Sequence, residues 1–301
     1  MPDVAVIVGN YEGEAVLGDC LASLEAQTLR PTEVIVVDAD SSDGSAAVAA
    51  TYRAAFLRRE NRGLGHLYNE GARASEAPYL MLLNNDVALD ARCLERLHAE
   101  LSRNERRFAA DPRQLDWAGG RIVHARAVLT GGPLLRQPLP GFRLDLCVHS
   151  DTVVPTVSAN GGAMLVRRDR MLALGGFDET MFMDFEDIDL CWRAWLRGWE
   201  SVYVPDAVVR HRVGAVTSPG RIMSRRLRSS HHNLLRFALK CFPARHAALV
   251  VAGELLRLPR HPRLIVPALA RVVAESREIM RARRLAAPTT EHMRWCLAGM
   301  P

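Results

Sequence analysis

Lysine is all but missing from this 301-residue chain: Lys240 stands alone, and arginine supplies the rest of the 39 basic side chains. So general a preference points to genomic base composition rather than to phosphate recognition. Cys-x-x-Cys pairs are absent too. The six cysteines are scattered, which argues against zinc and against a disulfide framework and fits reduced thiols in a cytosol. No run reaches the roughly 20 apolar residues that span a bilayer. No signal-peptide pattern opens the chain, because residues 1–20 carry acids and pass directly into strand and helix patterns. Gly-x-Gly-x-x-Gly does not follow the first strand pattern, which argues against a dinucleotide-dependent oxidoreductase. Internal repeats and low-complexity tracts are lacking as well.

What is present reads as one large α/β core with an appendage, for which a hydrophobic fraction of 49% suffices. Val4 to Val8 is an apolar run closed by Gly9-Asn10-Tyr11-Glu12-Gly13, and a helical pattern from Ala15 to Leu24 follows. Val34 to Val37 is closed by Asp38-Ala39-Asp40 and a Ser/Asp-rich turn. A weak strand at Ala55 to Leu57 and a helix near His66 to Ser75 lead to Tyr79-Leu80-Met81-Leu82-Leu83, which ends in Asn84-Asn85-Asp86. Strand and helix in alternation predict a doubly wound, mostly parallel sheet with helices on both faces. In such sheets the ligand crevice lies outside the carboxyl ends of the strands, so Asp38 and Asp86 face it. A carboxylate at Asp86 suits a hard divalent cation that shares its other positions with water and phosphate oxygens. Asn and Asp are also ordinary turn residues, so Asn-Asn-Asp alone says little. Asp38 suits a base imide N–H or a ribose hydroxyl, whereas Asp40 to Ser45 reads equally well as a turn and helix cap.

A second acidic group lies downstream. Asp184, Glu186, Asp187 and Asp189 crowd the start of an amphipathic helix whose apolar stripe runs through Phe185, Ile188, Cys191, Trp192, Trp195 and Trp199, with Gly198 at its end. Acids in a first helical turn are favoured by the helix dipole. Four of them, together with Asp86, point beyond capping to catalysis. Between the two acidic groups, residues 116–154 carry Gly-Gly and Pro-rich punctuation and predict loops with short strands. His124, His149 and Asp151 in that stretch read as surface residues.

Taken in order, these blocks resemble a family 2 glycosyltransferase of the GT-A fold, in its rhamnosyltransferase-like branch. The likeness runs from Val4 to about Leu239. It is carried by Val6 to Gly13, by Glu33 to Asp38 with Ser42-Asp43-Gly44-Ser45, and by Asn61, Gly63, Asn69 and Leu83 to Asp86. Asn160-Gly161-Gly162, Gly175 to Glu179, Phe185 to Leu190 and Val204-Pro205-Asp206 before His211 complete it. The resemblance implies a nucleotide-sugar donor held by Asn10, Tyr11, Glu12, Asp38, Asp40, Asn61, Asn69 and Asn85. It implies Mg²⁺ or Mn²⁺ at Asp86 with help from His211, Asp187 as general base beside Glu186, and a sugar or acceptor pocket at Gly161, Gly162 and Trp192. The sequence departs from the family at Glu12, where Asn is usual, at Ala39-Asp40, and in having a single acid in Asn84-Asn85-Asp86.

Charge divides the chain. From Arg210 onward there are 18 basic and 4 acidic residues, a net +14, so the remainder carries 21 basic and 30 acidic residues, a net −9. We therefore expect a GT-A catalytic domain over 1–215, with a nucleotide-binding half to about 115 and an acceptor half beyond it, followed by a basic amphipathic helical region over 216–301. Such helices suit an anionic membrane surface, which would place a cytoplasmic enzyme peripherally on the inner face of the membrane, beside a lipid-linked glycan acceptor. They equally suit a solvated basic face packed on the core or on the second subunit of a homodimer. Nucleic acid is not implied, since no recognition motif accompanies the charge. A non-catalytic relative that binds nucleotide or membrane without transfer is the rival reading.

Overall fold

The computed structural model describes residues 3–135, 139–214 and 221–300, without the side chains of 221–224. In chain order its elements are β1 (Val4–Asn10), α1 (Leu17–Glu25), β2 (Glu33–Asp38), α2 (Ser45–Thr51), β3 (Ala55–Arg58), α3 (Leu64–Ala74), β4 (Tyr79–Asn84), β5 (Val87–Leu89) and α4 (Cys93–Arg103). Then come β6 (Arg107–Asp116), β7 (Ile122–His124), β8 (Arg126–Gly131), β9 (Phe142–Val148), β10 (Val154–Pro155), β11 (Ala163–Arg167), α5 (Arg168–Ala173), α6 (Glu186–Leu196) and β12 (Glu200–His211). Five helices close the chain: α7 (Arg221–Cys241), α8 (Ala244–Arg257), α9 (Pro262–Ala274), α10 (Ser276–Ala286) and α11 (Thr290–Leu297).

The main sheet runs β10-β12-β6-β11-β4-β1-β2-β3, with β5 added to β12 and β7 to β6. β3, β2, β1, β4, β6 and β12 share one direction, while β11 lies antiparallel between β4 and β6. Successive strand residues point to opposite faces, and both faces are covered. Val4, Val6 and Val8 of β1 join the core under α1 and α4, whereas Ala5 and Ile7 join the core under α3 and α6. That is why the strands read as continuous apolar runs rather than as alternating ones. Each fully buried Val, Ile or Leu contributes roughly 1.5–3 kcal/mol.

A third core joins α6 to the C-terminal helices: Phe185, Ile188 and Trp192 pack with Leu234, Phe237, Phe242 and Met293. The basic region is thus not a detached tail. Its inward-facing bases meet acids of the sheet domain, Arg226 with Asp184, Arg236 with Asp178, and Lys240 with both Asp178 and Asp189. Part of the charge division of the sequence is neutralised across this contact. The expected domain boundary at 215/216, and Pro138 of the middle region, lie outside the described residues.

Candidate active site

The crevice is built at the carboxyl edge of β1, β2 and β4. Asn10 ends β1 opposite Asp38 of β2, and Gly9 lies opposite Asn84 of β4. Asn10 Nδ2 donates to Asp38 Oδ1 at 2.6 Å, and Asn85 Nδ2 donates to Asn10 Oδ1 at 2.7 Å. A Cβ at Gly13 would fall 2.1 Å from Asn10 Oδ1, so the turn after β1 closes over this chain of bonds only because residue 13 is glycine. Asp38 is wholly buried, and its oxygens also accept from the amide and hydroxyl of Ser41 at 2.9 and 2.6 Å. It holds the turn from below. Glu12, at φ +46°, accepts from Ser42 N at 2.9 Å and so ties the first turn to the second. Asp40, exposed and at φ +57°, stands 3.7 Å from Arg58, while Tyr11 and Asn61 are half-buried.

Asp86 and His211 meet because β5 pairs with the end of β12, with His211 opposite Val87 and Arg212 N donating to Asp86 O at 3.0 Å. His211 Nε2 lies 3.3 Å from Asp86 Oδ1, and His211 Nδ1 lies 3.2 Å from Gln114 Oε1. Asp86 Oδ1 is nonetheless buried without a hydrogen-bond donor. A buried carboxylate oxygen in that state is costly unless something positive occupies the space beside it. Among the described residues no three His, Cys, Asp or Glu side chains converge as a cage. The protein therefore offers a cation one carboxylate and one imidazole, a set that fits a hard ion completing its shell with phosphate oxygens and water.

The second acidic group resolves into separate tasks. Asp184 is held by Arg226 through two bonds of 2.9 and 2.7 Å, and the fully buried Asp189 takes Arg193 at 2.8 Å and Lys240 at 2.7 Å. Asp184 and Asp189 are thus engaged in ion pairs, whereas Glu186 and Asp187, the pair the resemblance implies for catalysis, have no ion pair among the described residues. Asp187 Oδ2 accepts the Gly161 amide at 2.8 Å, and its Oδ1 accepts the Ile188 amide at 2.7 Å. Burial lifts the Asp187 carboxyl above its ordinary range despite those two amides, and burial together with Asp187 lifts Glu186. Of the two, Glu186 is lifted the further. Glu186 Oε2 is buried without a partner among the described residues.

The two halves of the site are joined through Gly161 and Gly162. Gly162 O accepts from Asn84 N at 2.9 Å, next to Asp86, while Gly161 N holds Asp187. Tyr68, buried in α3 and not singled out from the sequence, donates to Gly161 O at 2.8 Å and Asn84 Oδ1 at 3.1 Å. The turn into α6 is strained: Asp184 and Phe185 sit at φ +71° and +72°, where side chains with a Cβ are disfavoured. Helix α7 braces it. Asn233 Nδ2 donates to Met183 O at 2.8 Å and Asp184 O at 2.9 Å, beside the Arg226–Asp184 pair.

Three sequence readings are corrected. Asn69 does not reach the crevice: it is buried, and its amide binds Phe177 and Glu179 on the loop before α6. Trp192 is no pocket wall. It is 1% exposed, its indole donates to Cys241 O at 3.1 Å, and it packs on Phe237 and Phe242. His124 is not a surface residue but is buried against Asp111 at 2.9 Å, and the Coulombic pull of Asp111 raises its pKa against the cost of burial. His149 and Asp151 are exposed as expected.

A mixed sheet with helices on both faces and a carboxylate crevice at its carboxyl edge defines the GT-A class of sugar transferase. The family model described as glycosyl transferase family 2 matches residues 5–140. N-acetylglucosaminyl-diphospho-decaprenol L-rhamnosyltransferase of Mycobacterium tuberculosis is 32% identical over 264 residues, covering 79% of this chain and 84% of that one. O-antigen chain rhamnosyltransferase WbaN of Salmonella anatum is 26% identical over 218 residues, covering 70% and 66%. Among solved structures, S. aureus TarS 1-349 superposes with a TM-score of 0.57 at 16% identity, over 87% of this chain and 73% of that one. GalNAc-T7 with UDP, GalNAc and Mn²⁺ superposes at 0.62 with 15% identity, over 81% of this chain and 49% of that one. The chain belongs to glycosyl transferase family 2, in its rhamnosyltransferase-like branch, and is a glycosyltransferase.

Proposed function

We propose that the enzyme moves a sugar, rhamnose or a hexose, from a UDP- or dTDP-sugar to a hydroxyl of a lipid-linked glycan, with inversion at the anomeric carbon. One observation supports this above the others: Asp86, whose buried Oδ1 accepts no hydrogen bond although His211 stands 3.3 Å away, and Asp187, with a raised pKa, are linked through the Gly161-Gly162 turn. The nucleotide would lie at the edge formed by Asn10, Tyr11, Glu12, Asp38, Asp40 and Asn85. The acceptor hydroxyl gives its proton to Asp187 as its oxygen bonds the anomeric carbon. The bond from that carbon to the diphosphate breaks, and the electron pair leaves on the diphosphate. Asp86 and His211 would hold Mg²⁺ or Mn²⁺, which neutralises charge on that leaving group. Glu186, raised further by burial and by Asp187, leaves Asp187 as the member of the pair suited to act as the base. The relatives named for a decaprenol-linked substrate and for O-antigen support a glycan acceptor on a lipid.

Calorimetry with UDP, dTDP and GDP, with and without Mn²⁺, tests the donor site. One pyrimidine diphosphate binds in a metal-dependent manner to wild type, and Asp86→Ala abolishes it. Asp187→Asn keeps that binding but lowers transfer by about 10²–10⁴-fold. Nucleotide binding that ignores both metal and Asp86 would overturn the assignment.

A further inference from the structure

Three bases of α7 pair with carboxylates of the sheet domain, and two do not among the described residues. Arg226, Arg236 and Lys240 are paired with acids of the sheet domain. Arg225 and Arg228, one turn apart, have no carboxylate within 4.0 Å among the described residues, and both are exposed. They border a pocket of about 370 Å³ between the loop before α6, the start of α3, α7 and α9. Arg62 and Arg271 line it too, against the single carboxylate of Glu179. Arg62 is 3.2 Å from Glu179, and Arg271 bonds Glu275 and Thr180 O. Arg225 is held in place without an ion pair: its guanidinium lies 3.5 Å from the centre of the Phe182 ring, and it donates to Asn61 O at 3.5 Å. A guanidinium fixed by stacking keeps its donors for a ligand and loses little freedom on binding.

We propose that this pocket binds the diphosphate group of the acceptor's lipid linkage. Four planar cations around one space of small-molecule size suit a polyanion with several acceptor oxygens. Its location fits: Thr180 and Phe182 belong to the segment that leads into α6 and the Glu186–Asp187 pair. This inference rests on the lipid-linked acceptor of the proposed function and names the part of that acceptor the fold grips.

The test starts with Arg228→Gln, which breaks no internal contact, and adds Arg225→Gln/Arg228→Gln. Inorganic pyrophosphate is titrated calorimetrically in EDTA, on these variants and on Asp86→Ala. The expected result is binding that survives Asp86→Ala and weakens at least tenfold in the arginine variants. Binding that the arginine variants leave intact, or that Asp86→Ala removes, would overturn the proposal. In transfer assays with a short-chain prenyl-diphosphate sugar, Arg228→Gln should raise the acceptor KM at least tenfold with no matching rise in the donor KM. Flotation with phosphatidylglycerol vesicles separates the other source of phosphate: lost flotation with an unchanged acceptor KM would assign the arginines to membrane headgroups and reject the proposal. The pyrophosphate titration needs no turnover, so its outcome stands apart from whether the enzyme transfers a sugar.

Discussion

Asp187 gets its character from opposed local forces. Burial makes its charge costly, while the amides of Gly161 and Ile188 stabilise that charge, and the balance leaves its pKa raised. A base works ionised, so kcat/KM falls as pH drops through this raised value. The acid limb of the pH profile therefore lies above the ordinary aspartate value of about 3.9. A limb at or below that value, measured with saturating metal, would remove Asp187 from the role. Asp86 was legible in the sequence because it sits at a strand end, a position that topology aims at the crevice, whereas His211 and the role given to Asp187 came from the family resemblance. Asn69, Trp192 and His124 were misread for the converse reason. A residue type in a motif does not say whether its polar atoms meet solvent or a neighbouring loop, and all three side chains are buried by partners distant in sequence.

At the scale of elements, the turn before α6 shows how a helix from one region sets the geometry of another. Two successive residues with positive φ hold only where surrounding contacts over-determine them, and Asn233 and Arg226 of α7 supply those contacts. Asn233→Ala should let the turn relax and displace Asp187. A fall in kcat of about 10–100-fold, with donor affinity retained in calorimetry, is the expected outcome. If donor affinity falls in parallel with kcat, the brace acts on the whole crevice rather than on the base. The strands and helices of the sheet domain were readable from apolar runs and turn residues. The strained turn was not, because nothing in Met183-Asp184-Phe185 marks positive φ without glycine.

Across the whole molecule, the contact between the sheet domain and the C-terminal helices rests on buried charge as well as on apolar packing. Asp178 accepts from both Arg236 and Lys240, and these neighbours hold its carboxyl well below the usual range. A depressed folded-state pKa means stability that is full above the unfolded value, about 3.9, and is lost as pH falls below it. Acid should therefore loosen this contact, and Asp178→Asn should do so at neutral pH. Arg236 keeps Glu275 and Glu278 and Lys240 keeps Asp189, so losing the Asp178 charge costs about 1–3 kcal/mol, readable in urea unfolding. An unfolding midpoint unchanged from wild type would contradict this. Beyond the contact, α8 and α9 expose Leu255, Leu256, Val266 and Val273 near Arg260 and Arg263, while no helix among the described residues is long and apolar enough to cross a membrane. We propose these side chains as the membrane-facing surface. Leu255→Ser/Leu256→Ser should then reduce flotation with anionic vesicles, and undiminished flotation would reject that surface. The sequence made the basic charge plain but not its direction, since the acids that neutralise its inner face lie some 40–60 positions upstream.

The brace on the base also orders events in time. Ribosomes release a chain from its first residue onward, and the crevice at the carboxyl edge of the sheet gains His211 beside Asp86 once β12 has emerged. Asn233 emerges later, and the helices that pack α7 in place come later still. During synthesis, the carboxyl edge of the sheet can therefore be assembled before the turn that carries Asp187 is braced.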